Sequence, residues 1–69
     1  MKNIPETIRL IRATKAKEQG VSHYPLTLLA KDIGVHRPTI YRWLAGEEVS
    51  YGSEIILVSL CRQLGIDTE

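Results

Sequence analysis

The sequence predicts an all-α domain of four short helices, and two observations predict it. Apolar residues recur at helical spacing, and no stretch alternates polar and apolar residues long enough to indicate a strand. Four of the five glycines follow helix-compatible runs, where a left-handed closing residue is favoured. These signals place the helices at about 5–18, 25–33, 37–45 and 53–64.

Length and composition predict one domain over residues 1–69, near the size at which a single core is only marginally stabilising. The chain is 43% hydrophobic and 25% charged, as in soluble globular proteins. Residues 1–6 lack a signal-peptide pattern, and no apolar run approaches the roughly 18 residues that span a bilayer. The lone cysteine, Cys61, lies among aliphatic residues, so we expect a buried thiol and a reducing, cytoplasmic location.

The first helix combines a short apolar stripe with a basic surround. Pro5 suits its first turn, because the N–H that proline lacks would be unpaired there. Ile4, Ile8 and Ile11 form the stripe. The surrounding cations are Arg9, Arg12, Lys15 and Lys17. They could contact phosphates, although the two late lysines could equally complement the helix dipole.

The second and third helices share one apolar set that crosses the turn between them. Pro25 suits a first turn, Ala30 is small where two helices would cross closely, and Gly34 opens a tight turn. The apolar set comprises Leu29, Ala30, Ile33, Val35, Ile40, Trp43 and Leu44. We therefore expect two short helices joined by three or four residues, with the last three apolar side chains holding the third helix in place.

The other face of the third helix is rich in hydrogen-bond donors. With the apolar stripe buried, five side chains project outward: Arg37, Pro38, Thr39, Tyr41 and Arg42. His36 or Arg37 is the N-cap, and neither is a good capping residue, so local stability does not explain them. Two guanidinium groups at an exposed helix N-terminus are suited to bind in a groove that is flanked by phosphates and presents hydrogen-bond acceptors on the edges of bases.

At these residues the sequence resembles helix-turn-helix DNA-binding proteins. The stretch LTLLAKDIGVHRPTIYRWLA (26–45) matches that pattern at its small residue, its turn glycine and its apolar positions. The continuation GEEVSYGSEIILVSLCRQLGI resembles the phage lambda repressor and Cro family. This resemblance covers about residues 6–66 and implies a lambda-repressor-like fold with the helix-turn-helix at about 25–45. It implies a small, Cro-like phage or prokaryotic transcriptional regulator that binds double-stranded DNA at the nucleoid.

The resemblance also implies residue roles. Base contacts fall on Arg37, Pro38, Thr39 and Arg42. Arg42 is the first candidate to bind a guanine, since arginine to guanine is the commonest specific pairing. Contacts to the DNA backbone are expected from Arg9, Arg12, Lys15, Lys17, Thr27, His36 and Tyr41. Small size suggests that no small-molecule effector is bound.

Three features depart from the family pattern. The connection GVSHYP (20–25) is longer than usual, so His23 and Tyr24 either reach the DNA backbone or merely pad a loop. Leu26 stands where a polar, phosphate-contacting side chain is common, and the fifth helix common in the family is not expected. RPTIYRWL also resembles the DNA-binding tail of site-specific recombinases, but the additional fourth helix favours the repressor family.

The fourth helix carries a wider apolar arc than one core needs. We expect the surplus to form a homodimer interface that includes Ile55, Ile56 and Val58, and the dimer to read a palindromic operator. The alternative is a central helix that is buried all round.

Charge is distributed unevenly along the chain. Residues 1–46 hold eight of the nine Lys and Arg against three acids, a net charge of +5, whereas residues 47–69 hold one cation against five acids, a net charge of −4. A positive face could bind a polyanion, or the protein could simply have a solvated surface with unevenly distributed charge. The same fold could instead be a protein-interaction module, such as an antitoxin, an excision cofactor or an RNA polymerase adaptor, whose contact surface begins at Glu47.

Little in the sequence indicates catalysis. His23, His36 and Cys61 show no spacing suited to zinc or to a nucleophile–base pair, so we expect no enzyme activity, metal or cofactor. Asp32 and His36 are four residues apart and are expected to pair locally.

Overall fold

A computed structural model describes residues 3–67 and shows them as four α-helices without a strand. The helices are α1 (Ile4–Gln19), α2 (Leu26–Ile33), α3 (Arg37–Leu44) and α4 (Tyr51–Leu64). The predicted all-α class and the order of the four helices are confirmed for this part of the chain. The differences lie at the helix ends.

Two of the helix starts are set by capping side chains that the predicted boundaries did not include. The Asn3 side chain accepts a hydrogen bond from the Glu6 N–H at 3.0 Å, so α1 begins at Ile4. The Ser50 hydroxyl oxygen accepts one from the Ser53 N–H at 3.3 Å, so α4 begins two residues earlier than predicted. The cap therefore overrides the low helix propensity of Gly52, which lies in the first turn.

The other two helices differ by one residue at one end each. Pro25 was predicted inside the first turn of α2, but it is the N-cap residue, with an extended backbone. Its carbonyl oxygen accepts hydrogen bonds from the N–H groups of Leu28 and Leu29. At the end of α3, Ala45 is the C-cap residue instead of the last helical residue.

The turn between α2 and α3 is three residues long, 34–36, which agrees with the predicted three or four. Gly34 has a φ of 86°, in the left-handed region that side chains other than hydrogen disfavour. Its N–H donates to the carbonyl oxygen of Ala30 at 2.8 Å, and the Val35 N–H donates to the same oxygen at 3.0 Å. These bonds close α2 and direct the chain into α3.

The core lies where α1 and α2 pack against α3 and α4. Its fully buried side chains are Ile8, Ile11, Leu29, Ile40, Leu57 and Cys61. Trp43 is only 4% exposed, so the prediction that Ile40 and Trp43 face inward is confirmed. Cys61 is buried as predicted, and burial raises the pKa of its thiol.

Tyr24 also belongs to the core, which neither interpretation of the 20–25 connection foresaw. Its side chain is 4% exposed, so it neither reaches outward nor pads a loop. The buried ring fixes the end of the connection against the helices, immediately before α2 begins.

Candidate functional site

The two faces of α3 differ in burial as the sequence predicted. Ile40 and Trp43 point into the core, while Arg37, Pro38 and Arg42 are exposed. Tyr41 is 53% exposed on the same outer side, and Thr39 is half-buried at its edge. The burial of the apolar stripe therefore leaves both guanidinium groups at the surface.

Within residues 3–67, α2 and α3 are the two helices whose N-cap residues make no side-chain hydrogen bond. Pro25 has no side-chain donor or acceptor, and the His36 side chain does not cap α3. Because the first N–H groups of a helix have no intrahelical partner, both starts can donate to an external acceptor.

Several of the predicted contact residues line one cleft of about 310 Å³ between α1, the 20–25 connection, α2 and α3. We call it the basic cleft; its lining residues are Arg12, His23, Pro25, Leu26, Thr27, Arg37 and Tyr41. No carboxylate of the described residues lines it. The structure thus brings together side chains that lie far apart in the sequence.

Arg12 is held in the basic cleft by the 20–25 connection. Its Nε donates to the carbonyl oxygen of Tyr24 at 2.9 Å. Its terminal Nη2 lies 3.1 Å from Nε2 and 3.3 Å from Nδ1 of the His23 ring. The sequence identified Arg12 as a candidate and left His23 open, but nothing in the residue spacing indicated that the two would meet.

Lys15 and Asp32 form an ion pair between α1 and α2, with Nζ and Oδ2 separated by 2.9 Å. The hydroxyl of Tyr24 donates to the same carboxylate oxygen, and the Lys15 ammonium lies 5.2 Å from the Tyr24 ring centre. The expected pairing of Asp32 with His36 is therefore wrong: the carboxylate instead joins α1 to the 20–25 connection, because tertiary packing places these two donors beside it.

These contacts shift the pKa of all three groups. The hydrogen bond to Asp32 raises the pKa of Lys15 against an opposing effect of burial. Burial and then the hydrogen bond to Asp32 raise the pKa of Tyr24. Burial works against ionisation of Asp32, but hydrogen bonds from Tyr24 and Lys15 outweigh it and lower its pKa.

Arg42 lies in a different cleft, of about 220 Å³. Its Nη2 donates a long hydrogen bond of 3.4 Å to the Thr39 hydroxyl, and Glu47 and Glu48 line the same cleft. The predicted base contacts are therefore divided: Arg37 faces the basic cleft, whereas Arg42 and Thr39 share a more acidic one.

The remaining candidate cations on α1 are exposed. Arg9 precedes Arg12 by less than one turn and lies near it on the helix surface, whereas Lys17 lies about 140° away around the helix. Thr27 and His36 are exposed at the starts of α2 and α3.

The outer surface of α4 is apolar over part of its length. Tyr51 is 80% exposed and Ile55 is 51% exposed. Both line a groove of about 340 Å³ with Glu54, Val58, Ser59 and Arg62, which we call the α4 groove. Ile56 is 39% exposed but does not line it. The alternative of a fourth helix buried all round is wrong.

Among residues 3–67, no three His, Cys, Asp or Glu side chains gather where a metal ion could be held. No helix in that range combines the length and apolar character needed to cross a bilayer. Comparisons with family models, with curated proteins and with solved structures give no match.

Proposed function

We propose that this protein is a lambda-repressor-like helix-turn-helix domain that binds specific double-stranded DNA and regulates transcription. The observation that carries the proposal is the difference between the buried face and the exposed face of α3. Ile40 and Trp43 are buried, while Arg37 and Arg42 stand at the surface with no carboxylate of residues 3–67 paired to either. A helix of this kind can enter a major groove with its outer face toward the bases.

In this proposal the residues divide into two functional groups. Arg42 binds a guanine, supported by Thr39, while Arg37 and Pro38 contact neighbouring bases. The remaining residues contact phosphates and set the position of the protein on the duplex: Arg9, Arg12, Lys15, Lys17, Thr27, His36 and Tyr41. Lys15 contributes least, because its ammonium already has a partner in Asp32.

The active species is proposed to be a homodimer joined through the α4 groove. Exposed apolar side chains such as Tyr51 and Ile55 favour association when they lie together. A two-fold dimer would place two copies of α3 on one face of a palindromic operator, about 34 Å apart. Binding, and not catalysis, is the proposed activity, and no cofactor enters it.

The experiment is a titration of duplex DNA by fluorescence anisotropy, after sites have been selected from a random pool. We expect log K to fall steeply with log salt, because each phosphate contact releases counterions. Arg42→Ala should weaken binding to the selected site by about 1–3 kcal/mol and relax specificity at one base pair.

Arg9→Ala is the matched control, since it removes the same side chain from a position assigned to a phosphate. It should weaken selected and random duplexes equally and reduce the salt slope by about one. Equal effects of the two variants would overturn the division of roles. Absence of DNA binding at about 50 mM salt would overturn the proposal and favour a protein-interaction module, for which the exposed Glu47 and Glu48 offer an acidic contact surface.

A further inference from the structure

We propose that the α4 groove is filled by α4 of a second copy that runs antiparallel to it, so that Tyr51 of each copy packs against Arg62 of the partner subunit. This inference rests on the homodimer of the proposed function and deepens it. It fixes the direction in which the two helices meet and names the pair of side chains that determines it.

The residues that line the α4 groove form a self-complementary pattern along the helix. The pattern is centred on the point midway between Ile56 and Leu57. The lining residues form three pairs whose members lie equally far from that point: Tyr51 with Arg62, Glu54 with Ser59, and Ile55 with Val58. A two-fold axis at this point, perpendicular to both helices, would place the two members of each pair at the same height on opposite copies.

Four of these side chains form a narrow seam on α4. With 3.6 residues per turn, they span about 60° of the helix circumference, and the other two lie about 70° from its centre, one at each edge. The seam residues follow the alternating spacing of four, three and four residues that is typical of two paired helices: Tyr51, Ile55, Val58 and Arg62. Tyr51 is 80% exposed, Ile55 is 51% exposed, and Arg62 is also exposed. The seam is therefore open in the single chain.

The two ends of the seam determine the direction of pairing. In a parallel pair each residue would face its own counterpart, so the two Arg62 guanidinium groups would lie together. In an antiparallel pair each guanidinium would lie opposite Tyr51 of the partner subunit and could stack on its ring. The two guanidinium groups would then be about 16 Å apart along the helices. Ile55 and Val58 are apolar and fit both directions, so the charged and aromatic ends favour the antiparallel one.

The test is a charge-reversal cycle of Tyr51→Lys, Arg62→Glu and the double variant. The dissociation constant of the dimer is measured by sedimentation equilibrium without DNA. Tyr51→Lys should raise it about tenfold, because the new ammonium would face a guanidinium at both ends of the seam. Arg62→Glu should raise it about fivefold, since the stacking is lost at both ends. The double variant should return to within about threefold of the wild type, because it exchanges each stacked pair for an ion pair.

A local effect on α4 would not produce this recovery. Residue 51 lies in the first turn of the helix and residue 62 in the last. A cation at the start and an anion at the end both oppose the helix dipole, so the double variant carries both unfavourable charges. In a parallel pair it would also place like charges together at both ends. A double variant that dimerises no more tightly than Tyr51→Lys therefore overturns the antiparallel arrangement.

Cysteine cross-linking tests the same contact without a change of charge sign. A mixture of Tyr51→Cys and Arg62→Cys should form a disulfide-linked dimer under mild oxidation. Each variant alone should not, because its two new thiols would be about 16 Å apart along the antiparallel helices. The wild type is the control, since Cys61 is 0% exposed. Cross-linking of each variant alone, as readily as in the mixture, would indicate parallel pairing and overturn the proposal.

The two proposals fail in different ways. A dimeric wild type without recovery in the double variant overturns the antiparallel arrangement and leaves the proposed function standing. A monomeric wild type overturns the arrangement together with the homodimer, and the duplex titration then decides DNA binding by itself. Recovery in the double variant, with no duplex binding at about 50 mM salt, supports the arrangement and overturns the DNA-binding function.

Discussion

The hydroxyl of Tyr24 donates a hydrogen bond to the carboxylate of Asp32, eight residues further along the chain. Lys15 reaches the same carboxylate from α1. One acid therefore joins the first helix, the connection and the second helix. Because Arg12 is anchored to the Tyr24 carbonyl oxygen, the geometry of the basic cleft depends on this contact.

We predict that Asp32→Asn lowers the free energy of unfolding by about 1 kcal/mol at pH 7. The pKa of Asp32 is lowered in the folded protein, so its contribution is present above pH 4 and is lost as pH falls through the folded pKa. The pKa values of Lys15 and Tyr24 are raised, so their contributions are present below pH 10 and are lost as pH rises through the folded pKa values. Urea unfolding at pH 3, 7 and 11 should show the largest difference from the wild type at pH 7.

Glu48→Gln is the control for this prediction, since it makes the same acid-to-amide change at an exposed position. It should alter the free energy of unfolding by less than about 0.5 kcal/mol. A difference between Asp32→Asn and the wild type that stays constant from pH 3 to pH 11 would show that the charged contacts contribute nothing.

Neighbouring leucines in α2 give a direct test of the core. Leu29 is 0% exposed and Leu28 is 44% exposed. We predict that Leu29→Ala lowers the free energy of unfolding by about 3 kcal/mol, because it removes buried methyl groups and leaves a cavity. Leu28→Ala should cost less than about 1 kcal/mol, since its side chain already meets water. Similar urea midpoints for the two variants would contradict the orientation of α2.

The turn between α2 and α3 allows a separate prediction about backbone strain. Gly34 has a φ of 86°, and a Cβ there would meet no atom within 4 Å, so only backbone strain opposes a side chain. Gly34→Ala should therefore cost about 1–2 kcal/mol. Gly52 lies inside α4 with equally open space, and Gly52→Ala should stabilise the protein by about 0.5 kcal/mol. Thermal melting of both variants measures the contrast, and opposite signs are expected.

The sequence predicted the features that depend on local periodicity. Ile40 and Trp43 lie three residues apart, so their common face follows from helix geometry alone, and their burial could be predicted. The left-handed backbone of Gly34 could also be predicted, because a glycine after an apolar helical run indicates a left-handed closing residue. The helix ends were harder to predict. The side chains of Asn3 and Ser50 cap α1 and α4, and such capping residues are not part of the periodic apolar pattern.

The contacts that build the basic cleft depend on tertiary structure instead. Arg12 meets the ring of His23 eleven residues away, and Lys15 meets Asp32 seventeen residues away. Such pairs form when a loop or a second helix packs against the first helix, and no spacing rule in a single sequence specifies them. Tyr24 was the one usable signal in the sequence, because it is an aromatic residue within a polar connection. Predicting its burial would have placed the connection against the core.

The final prediction concerns the α4 groove, whose occupant we propose to be a second copy of the chain. Ile55 lines this groove and is 51% exposed, so in a monomer much of this side chain would remain in water. A two-fold contact would bring each residue of the groove against the same surface of the partner subunit, so one substitution changes the interface twice.

We therefore expect Ile55→Glu to abolish the dimer, since each copy would bury one unpaired carboxylate in an apolar contact. Size exclusion with light scattering at micromolar concentration should give twice the 7.8 kDa chain mass for the wild type and the chain mass for this variant. Gln63→Glu adds the same charge to an exposed position on α4 outside the groove and should remain dimeric. A monomeric wild type would contradict the dimer. A palindromic operator requires two copies of α3 about 34 Å apart, so a protection footprint that covers one asymmetric half-site would contradict the palindromic operator.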